Sequence, residues 1–389
     1  MKIIHTSDWH IGRRFEHEPM HAEQRAFLTW LAEVVRDLRV DLVVVAGDVY
    51  DRSLPAEDAV ALLDEGLNGI RAAGATVVMI SGNHDSAQRL GFGARRQALG
   101  GVHIFADDRS PPAPYVFTAG AERVAVVATP FLDPQLAPVL PLDDEGNPRR
   151  RTHESVLVDA LVAGRAALRP LRPMPAIAVA HAFVTGGETS DSERALAIGG
   201  ADAVGADVFD GFDYVALGHL HRPQRIGGCD HVAYSGSPLP YSFGEEHPKS
   251  VRVLQIGSGG LQSVQELAVP VGRPVRTLTG RLSDLLGDTA HQRYADHWVA
   301  VRLTDTTAQV QPMERLRARF PHVVSVRYDS TIGDRPIPGP GVLGEPVEDR
   351  RPEDLVLQFL TELRERPPTD GERGLVLQAV ASAVSGAGS

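Results

Sequence analysis

Cysteine and lysine are nearly absent from this sequence. The one cysteine, Cys229, excludes an internal disulfide framework and a zinc cage built from thiolates. Any bound metal must therefore be held by nitrogen and oxygen ligands. Lysine occurs only at Lys2 and Lys249, so arginine carries nearly all of the positive charge. That bias reflects genome composition first, and phosphate recognition only at specific positions.

Long hydrophobic runs are also missing. No apolar run reaches the roughly 18 residues that suggest a membrane-spanning helix. The chain opens with a strand pattern, Met1-Lys2-Ile3-Ile4, without the charged and apolar regions of a signal peptide. We therefore expect a soluble protein that remains in the cytoplasm.

The overall charge is acidic. A net charge of −11 argues against a protein that holds nucleic acid across its whole surface, because such binding depends on clustered Lys and Arg. A DNA substrate remains possible, since metal ions and a partner protein can supply positive charge that the formal count omits.

Strand and helix patterns alternate over the first two-thirds of the chain. Short runs rich in valine and isoleucine are typical of strands buried on both faces; they lie at residues 2–6, 41–46, 75–80, 123–128, 176–180 and 214–217. Apolar residues at helical spacing predict helices over 23–38, 56–73 and 154–168. This alternation predicts an α/β fold, with a layered sheet-and-helix domain over residues 1–270.

The pattern changes near residue 270. Half-exposed strand patterns, with one short helix over 313–320, predict a small α+β domain over residues 271–330; the strands lie at 275–279, 298–303 and 323–328. With 389 residues and 43% apolar content, the chain has ample material for two to three domains.

The last part of the chain reads as a linker followed by helices. Residues 331–350 are rich in Pro and Gly, as in an extended linker. Amphipathic patterns over 352–364 and 371–384 predict two C-terminal helices within residues 351–389. Two such helices cannot bury their own apolar faces, so they either pack back on the sheet domain or dock on another protein.

Five short motifs carry the candidate chemistry, and each follows a predicted strand. They are Asp8-Trp9-His10, Gly47-Asp48, Gly82-Asn83-His84-Asp85, His181 and Gly218-His219-Leu220-His221. Open α/β sheets place their sites at the carboxyl ends of strands, so these side chains are expected to meet. Each motif alone is weak evidence, whereas their joint order is strong evidence.

The donor types fit a centre of two metal ions about 3.5–4 Å apart, which can activate water and neutralise charge on the attacking and leaving oxygens of a phosphodiester. We expect Asp8, His10, Asp48 and His221 to form one metal site. Asp48, Asn83, His181 and His219 form the other, with Asp48 bridging. The Asn ligand limits the negative charge of the site, and mixed imidazole and carboxylate donors favour Mn²⁺, Fe or Zn²⁺ over Mg²⁺. Mn²⁺ is our prediction.

Three further residues are assigned from their positions beside the motifs. His84 directly follows a ligand, so it is expected to act as a general acid or as a donor to the phosphate oxygens. Arg13 and Arg14 lie next to the first motif and are candidate phosphate contacts, although a solvated surface pair explains them as well. Ten other histidines lack such a setting and are interpreted as ordinary residues: His5, His17, His21, His103, His153, His231, His247, His291, His297 and His322.

With these motifs the chain resembles the calcineurin-like metallophosphoesterases, and within them the SbcD family. The opening Ile3-Ile4-His5-Thr6-Ser7-Asp8-Trp9-His10-Ile11-Gly12 is similar to that family's, as are Ala46-Gly47-Asp48-Val49-Tyr50-Asp51 and Tyr234-Ser235-Gly236-Ser237-Pro238. The resemblance covers most of residues 1–250 by motif and the rest of the chain by architecture.

The resemblance implies a nuclease that works with SbcC, an SMC-like ATPase. The expected activities are ATP-dependent double-strand 3′–5′ exonuclease and single-strand endonuclease, which process DNA ends and hairpins in repair and recombination. It further implies that residues 271–330 cap the site and select DNA, that the C-terminal helices bind the ATPase, and that the nuclease subunits form a homodimer within a heterotetramer.

One position departs from the pattern. Relatives from archaea and eukaryotes carry a catalytic His three residues after the bridging Asp, where this chain has Asp51, so no proton-transfer role is assigned there. Asp51-Arg52 also resembles a run in Ser/Thr protein phosphatases, but Trp9 and Asp85 speak against that family.

Two alternatives remain open from the residues alone. One is a phosphoesterase for small substrates, either a cyclic-nucleotide phosphodiesterase or a protein phosphatase, which the acidic charge favours. The other is a scaffold without chemistry. Loss of a ligand would be the mark of such a scaffold, and none of the ligand positions is lost.

Overall fold

A computed structural model describes most of the chain. The described residues are 1–106, 113–136, 150–193, 203–329, 353–354, 356–357, 360–361 and 367–386. The predicted linker over 331–350, and most of the helix predicted over 352–364, lie outside them. The chain divides into two compact units, Met1–Arg327 and Tyr328–Ser389. Over the part of the chain that is described, no helix has the length and apolar character to cross a membrane.

The predicted strands and helices that lie within the described residues form at the predicted places to within a few residues. The strands are β1 (Lys2–Thr6), β2 (Arg14–Phe15), β3 (Glu18–Pro19), β4 (Leu42–Ala46), β5 (Thr76–Ile80), β6 (Val102–Phe105), β7 (Tyr115–Ala119), β8 (Glu122–Thr129), β9 (Ala176–His181), β10 (Tyr214–Gly218), β11 (Gln224–Arg225), β12 (Val232–Tyr234), β13 (Ser250–Gly257), β14 (Gly260–Ala268), β15 (Val275–Gly280), β16 (Trp298–Leu303) and β17 (Val323–Tyr328). The helices are α1 (His21–Leu38), α2 (Glu57–Ala72), α3 (Ala87–Leu90), α4 (Ala94–Leu99), α5 (His153–Leu168), α6 (Leu282–Gly287), α7 (Pro312–Arg317) and α8 (Asp370–Gly386).

Two six-stranded sheets form the centre of the first unit. Their strand orders are β14-β13-β1-β4-β5-β6 and β11-β12-β10-β9-β8-β7. Side chains from both sheets share one buried cluster, for example Val44 and Ile80 from the first and Val126 and Val179 from the second. The α/β class is confirmed, whereas the alternation of strands and helices did not reveal that the strands divide between two packed sheets.

Helices cover the outer face of each sheet. The apolar stripe of α1, with Phe27, Leu31 and Val35, packs with α2 against the first sheet. Helix α5 contributes Leu157 and Leu161 to the cluster on the second sheet. Fully burying one such side chain contributes roughly 1.5–3 kcal/mol, so these stripes hold the layers together.

The strands that precede the five motifs are parallel neighbours. In the first sheet β1 pairs with β4, and β4 with β5; in the second, β9 pairs with β10. A buried histidine of the first sheet, His5, joins the two sheets. Its Nδ1 lies 3.0 Å from the Tyr214 hydroxyl, and its Nε2 lies 3.1 Å from the Leu217 carbonyl oxygen. The carboxyl ends of these strands, and the motifs that follow them, therefore lie at the same edge of the two packed sheets.

The predicted α+β module consists of β15, β16 and β17 in one sheet, with α6 and α7. It packs on the sheet domain through an apolar cluster that includes Phe15, Leu239, Tyr241 and Trp298. The Phe15 and Trp298 rings stack with 5.5 Å between centroids. The module therefore belongs to the same compact unit as the sheets, and the boundary at residue 270 stays a prediction.

Candidate metal centre

The loops that carry the motifs have unusual backbone angles. Four non-glycine residues there adopt positive φ: Asp8 (54°), His10 (43°), Asp48 (49°) and His219 (113°). This conformation is uncommon for residues with a Cβ and costs on the order of 1–3 kcal/mol each. Such strain persists only where the surrounding structure enforces it, and here it lies at the residues predicted to bind metal.

Hydrogen bonds between the loops enforce these conformations. The Asp85 carboxylate accepts the backbone N–H groups of Gly82, Val49 and Tyr50 at 2.9–3.0 Å, which ties the second motif to the third. Burial, together with the nearby Asp48 carboxylate, raises the pKa of Asp85 to about 7. The backbone N–H of His219 donates to Asp8 Oδ1 at 3.0 Å, which ties the first motif to the last.

Glycine allows the two sheets to meet beneath the site. A Cβ on Gly218 would lie 1.8 Å from the Ala46 carbonyl oxygen, and one on Gly47 would lie 2.4 Å from His181 Nδ1. Both distances are impossible for a real side chain. The two glycines therefore bring the ends of β4, β9 and β10 close enough for their polar side chains to share one space.

The first predicted set of donors is brought together. Ligand atoms of Asp8, His10 and His221 lie within 4.8 Å of one another. His10 Nε2 lies 3.1 Å from His221 Nε2 and 3.6 Å from Asp48 Oδ2. All four side chains are buried, with at most 2% exposure.

The second predicted set is brought together as well. His181 Nε2 lies 2.8 Å from Asn83 Oδ1 and 3.5 Å from Asp48 Oδ2, and His219 Nδ1 lies 3.3 Å from Asn83 Oδ1. Asp48 Oδ2 therefore faces both sets at nearly equal distances. The role of these side chains as ligands stays a prediction.

The protonation states of these groups fit a divalent cation. Burial lowers the pKa of His10, His181 and His219, which leaves these imidazoles neutral with lone pairs available. Burial and the neighbouring Asp48 raise the pKa of Asp8 well above its usual range, because two buried carboxylates lie close together. Neutral imidazoles and carboxylates that converge in this way are the donor set of Mn²⁺, Fe or Zn²⁺.

Neighbouring groups fix which imidazole nitrogen faces the centre. His181 Nδ1 donates to the Ala46 carbonyl oxygen at 2.9 Å. The Ser192 hydroxyl donates to Glu245 and so accepts from His221 Nδ1 at 2.6 Å. In both histidines Nε2 therefore keeps its lone pair towards the centre, as metal-ligating histidines require.

His84 lies at the edge of this cluster. Its Nδ1 donates to the Asp51 carbonyl oxygen at 2.8 Å, and its Nε2 lies 3.9 Å from Asp48 Oδ2. Its backbone N–H donates to Asp48 Oδ1 at 2.9 Å. The side chain is 5% exposed, and Nε2 is the ring nitrogen on the side of Asp48. The role of His84 as a general acid stays a prediction.

The two arginines beside the first motif have different surroundings. Arg13 donates to Asp51 Oδ1 at 3.2 Å and to the Ser192 carbonyl oxygen at 3.4 Å, and its guanidinium lies 4.9 Å from the Tyr241 ring centroid. Arg14 is exposed and donates to the His17 carbonyl oxygen. Their roles as phosphate contacts stay predictions, and Arg13 would act from a fixed position.

Asp51 lies beside a predicted ligand. Its Oδ1 lies 3.5 Å from His10 Nδ1 and accepts from Arg13, but it makes no hydrogen bond to the His10 ring, whose Nδ1 has no hydrogen-bond partner among the described residues. The substitution of His by Asp at this position, noted from the sequence, thus places a carboxylate beside a predicted ligand.

A buried ion pair behind His221 was missed by the sequence reasoning. Lys249 donates to Glu245, to Ser237 Oγ at 2.9 Å and to the His221 carbonyl oxygen at 3.1 Å. Burial alone would raise the pKa of Glu245, but Lys249 and His221 hold it well below its usual range. One signal was available, since Lys249 is one of only two lysines in an arginine-rich chain.

Trp9 and His5, in or near the first motif but outside the cluster of predicted ligands, have structural roles. Trp9 is 1% exposed, donates from Nε1 to Thr6 Oγ1 at 3.0 Å, and meets the Phe27 ring edge to face. It anchors the first motif loop in the core of the first sheet. His5, with both ring nitrogens hydrogen-bonded between the sheets, is the ordinary structural histidine that the sequence suggested.

Comparison with known proteins agrees with this geometry. The calcineurin-like phosphoesterase family matches residues 1–223, and the family described as type 5 capsule protein repressor C-terminal domain matches residues 271–363. The SbcD component of the nuclease SbcCD from Escherichia coli K12 is 33% identical over 312 residues, which cover 78% of each chain, and the same protein from Escherichia coli O157:H7 has the same values.

Among solved structures, a dimetal phosphatase from Danio rerio aligns with a TM-score of 0.39 and 14% identity, over 69% of this chain and 98% of that chain. This likeness is too low to support an argument. The family matches and the clustered donors make the chain a hydrolase that uses divalent metal. From the match to residues 1–223 and the identity with the two Escherichia coli nuclease components, the chain belongs to the SbcD family of calcineurin-like phosphoesterases.

Proposed function

We propose that this chain is the two-metal DNA phosphodiesterase of an SbcCD-type complex. The observation that carries the proposal is the position of Asp48. Its Oδ2 lies 3.6 Å from His10 Nε2 on one side and 3.5 Å from His181 Nε2 on the other, so one carboxylate faces two separate groups of donors.

The predicted ligand sets follow from that arrangement. One ion would be held by Asp8, His10, Asp48 and His221, and the second by Asp48, Asn83, His181 and His219. Bound divalent ions supply Lewis acidity and charge neutralisation for hydrolysis of a phosphodiester. Mn²⁺ is the ion we propose, since the donors mix imidazole with carboxylate and amide oxygen.

The protein's own groups then orient the substrate and move a proton. His84 keeps Nδ1–H on the Asp51 carbonyl oxygen, so in its protonated form Nε2–H is the proton that it can deliver to the leaving oxygen. Arg13, held by Asp51 and Tyr241, and the exposed Arg14 are proposed phosphate contacts.

Family membership also supports proposals about partners. The Escherichia coli relative is named as one component of a nuclease complex, and we propose that this chain acts on DNA together with an SbcC-type ATPase. The proposed activities are ATP-dependent 3′–5′ exonuclease on duplexes and endonuclease on single strands and hairpins. A homodimer of nuclease chains within a heterotetramer, in the cytoplasm, completes the proposal.

The domain assignments follow the same reasoning. Residues 1–270 form the nuclease domain, and residues 271–330 the domain that caps the site and selects DNA; the second family match begins at residue 271. We propose that residues 351–389, after the linker 331–350, bind the ATPase. Helix α8 supports this, because Leu375 and Leu377 are 67% and 50% exposed, and exposed apolar side chains on a helix suit a groove on a partner.

A cleavage assay tests the proposal. An end-labelled DNA duplex, a single-stranded oligonucleotide and a generic phosphodiester are each incubated with the Mn²⁺-loaded chain, alone and with the ATPase plus ATP. We expect single-strand cleavage by the complex, and duplex cleavage that requires ATP. Turnover of the generic ester without cleavage of DNA in any combination would reject the nuclease and favour a phosphoesterase for small substrates.

A further inference from the structure

A pocket lies directly beside the predicted metal centre. It has a volume of about 690 Å³, and Gly82 and Asn83 form part of its wall. Asn83 is therefore common to the pocket and to the second predicted ligand set. Pockets of this size hold small organic ligands, and a group bound here would lie next to a phosphate bound at the metals.

We propose that this pocket binds a nucleobase of the strand being cut, next to the scissile phosphate. The proposal rests on the proposed function and specifies how the substrate is held at that site. Three observations carry it: the charge of the pocket, its aromatic wall, and the distribution of its polar groups.

The charge of the described lining residues disfavours a second phosphate. Among the described residues that line the pocket, none is Lys or Arg, while Asp133 contributes a carboxylate. Asp85 also lines the pocket, but backbone N–H groups of Gly82, Val49 and Tyr50 already donate to its carboxylate. The Asp133 carboxylate would repel a phosphate here, and no side chain of the described lining residues would offset that repulsion with positive charge. This favours an uncharged part of the nucleic acid as the occupant, and the aromatic side chain in the wall favours a base over a sugar.

One wall of the pocket, next to the metal centre, is aromatic. Phe131 lines the pocket and is half-buried. Its ring meets His181 edge to face with 6.3 Å between centroids, and its backbone N–H donates to the Ser81 carbonyl oxygen at 2.8 Å. The ring therefore contacts His181, a predicted ligand, directly. At this position it can serve as a platform on which a base stacks.

The remaining walls suit a flat ring with polar edges. Ile104 and Leu136 add apolar surface, whereas Ser53, Ser86 and Gln88 add hydroxyl and amide groups. Side chains of this kind can hydrogen-bond to the edges of a base, and the carboxylate of Asp133 can accept from an exocyclic amino group.

Two matched substrates test this proposal. One is the 4-nitrophenyl diester of thymidine 5′-phosphate, and the other is the same diester of 1,2-dideoxyribose 5-phosphate, which lacks the base. Both have the same leaving group and the same charge. The full chain, loaded with Mn²⁺, hydrolyses each, and the ratio of the two kcat/KM values reports the contribution of the base. Because both rates scale with the amount of active enzyme, this ratio does not depend on how much of a variant is folded.

We expect the wild-type ratio to favour the base-bearing substrate by about tenfold or more, as one base–aromatic stack provides. Phe131→Ala should bring the ratio close to one. Phe92→Ala is the matched control, since Phe92 is 82% exposed and does not line the pocket, and it should keep the wild-type ratio.

Each contrary outcome has one meaning. Equal kcat/KM values for the two substrates in the wild type, or a wild-type ratio retained in Phe131→Ala, would overturn the base pocket and leave the proposed function intact. Hydrolysis of neither substrate would contradict the proposed function, and the pocket proposal would fall with it.

Discussion

The Nε2 atoms of His10 and His221 lie 3.1 Å apart, although 211 positions separate the two residues in the chain. Behind His221, Nδ1 donates to the Ser192 hydroxyl, which donates to Glu245. Behind His10, the Asp51 carboxylate lies 3.5 Å from Nδ1 without a hydrogen bond. Two lone pairs that face each other in a buried site need a shared proton or a shared cation. The acidic neighbours Asp8 and Asp48 make a divalent cation the better solution.

The first prediction concerns His84. In His84→Gln, Mn²⁺ binding should remain near the wild-type value while DNA cleavage falls by roughly 10²–10⁴-fold, the usual contribution of a general acid. His231→Gln, at an exposed histidine, is the matched control and should leave both unchanged. Electron paramagnetic resonance measures the bound Mn²⁺, and a DNA cleavage assay on the same samples measures the rate. Wild-type cleavage by His84→Gln would show that the assigned role is wrong.

The second prediction concerns the ion pair behind His221. Glu245→Gln leaves the buried Lys249 ammonium without its carboxylate, which should lower the free energy of unfolding by about 3–5 kcal/mol. Glu245→Gln combined with Lys249→Met removes both charges and should recover most of that loss.

Metal affinity separates support of His221 from simple stability. Both variants lack the carboxylate that supports His221, so both should bind Mn²⁺ about 10–100-fold more weakly. Calorimetric titration with Mn²⁺ measures this. Wild-type affinity in the stable double variant would show that Glu245 has no influence on the ligand.

The outcome for these two residues shows where sequence reasoning stops. The motif order identified His221 because His-x-His at the end of a strand is a local pattern. Glu245 and Lys249 reach His221 only through the fold, since they lie 24 and 28 positions further along the chain. Nothing in a local pattern distinguishes a carboxylate that supports a ligand from one on the surface.

The third prediction concerns His5 and acid stability. Burial, with the Arg252 charge as a second cause, lowers the pKa of His5 from 6.5 to about 3. The unfolded chain therefore binds a proton below pH 6.5 that the folded protein does not bind, so this group reduces stability as pH falls from 6.5 towards 3. The loss from one such group is at most about 1.4 kcal/mol per pH unit.

Thermal unfolding between pH 7 and pH 4 tests whether His5 lowers the stability of the protein as the pH falls. His5→Gln, which keeps polar groups near Tyr214 and Leu217, should lose less of its stability over that range than the wild type. His231→Gln again serves as the control and should follow the wild-type curve. A steeper acid loss in His5→Gln than in the wild type would contradict the buried, neutral state of His5.

The fourth prediction concerns the contact between the sheets under the site. In Gly218→Ala the new Cβ would lie 1.8 Å from the Ala46 carbonyl oxygen, so β4 and β10 must separate. We expect a loss of about 3 kcal/mol or more, which lowers the thermal midpoint by roughly 6 °C or more. Gly287→Ala, where a Cβ meets nothing within 4 Å, should change it little. Equal midpoints for the two variants would show that the sheets can adjust without cost.

The sequence predicted the elements better than their arrangement. Period and composition located the strands that precede Asp8, Asp48, Asn83 and His219, because buried parallel strands read as continuous apolar runs. The same patterns did not show that β8, β9 and β10 form a second sheet, since strands of both sheets are apolar on both faces. Trp9 illustrates the difference: it marked the family in the sequence, and in the structure it anchors the loop in the core.

The base pocket was also beyond the reach of the sequence. Phe131 follows β8, and its surroundings combine the loop after β5 with β6 and helices α3 and α4. No motif spans these segments. A single phenylalanine after a strand is most often a core residue, and only its place beside Asn83 suggests a substrate contact.

The number and positions of bound metal ions decide whether Asp48 bridges two sites. Anomalous diffraction from crystals loaded with Mn²⁺ should give two peaks per chain. One should lie among Asp8, His10, Asp48 and His221, and the other among Asp48, Asn83, His181 and His219. A single peak, or a peak that Asp48 does not contact, would contradict the bridged two-metal centre.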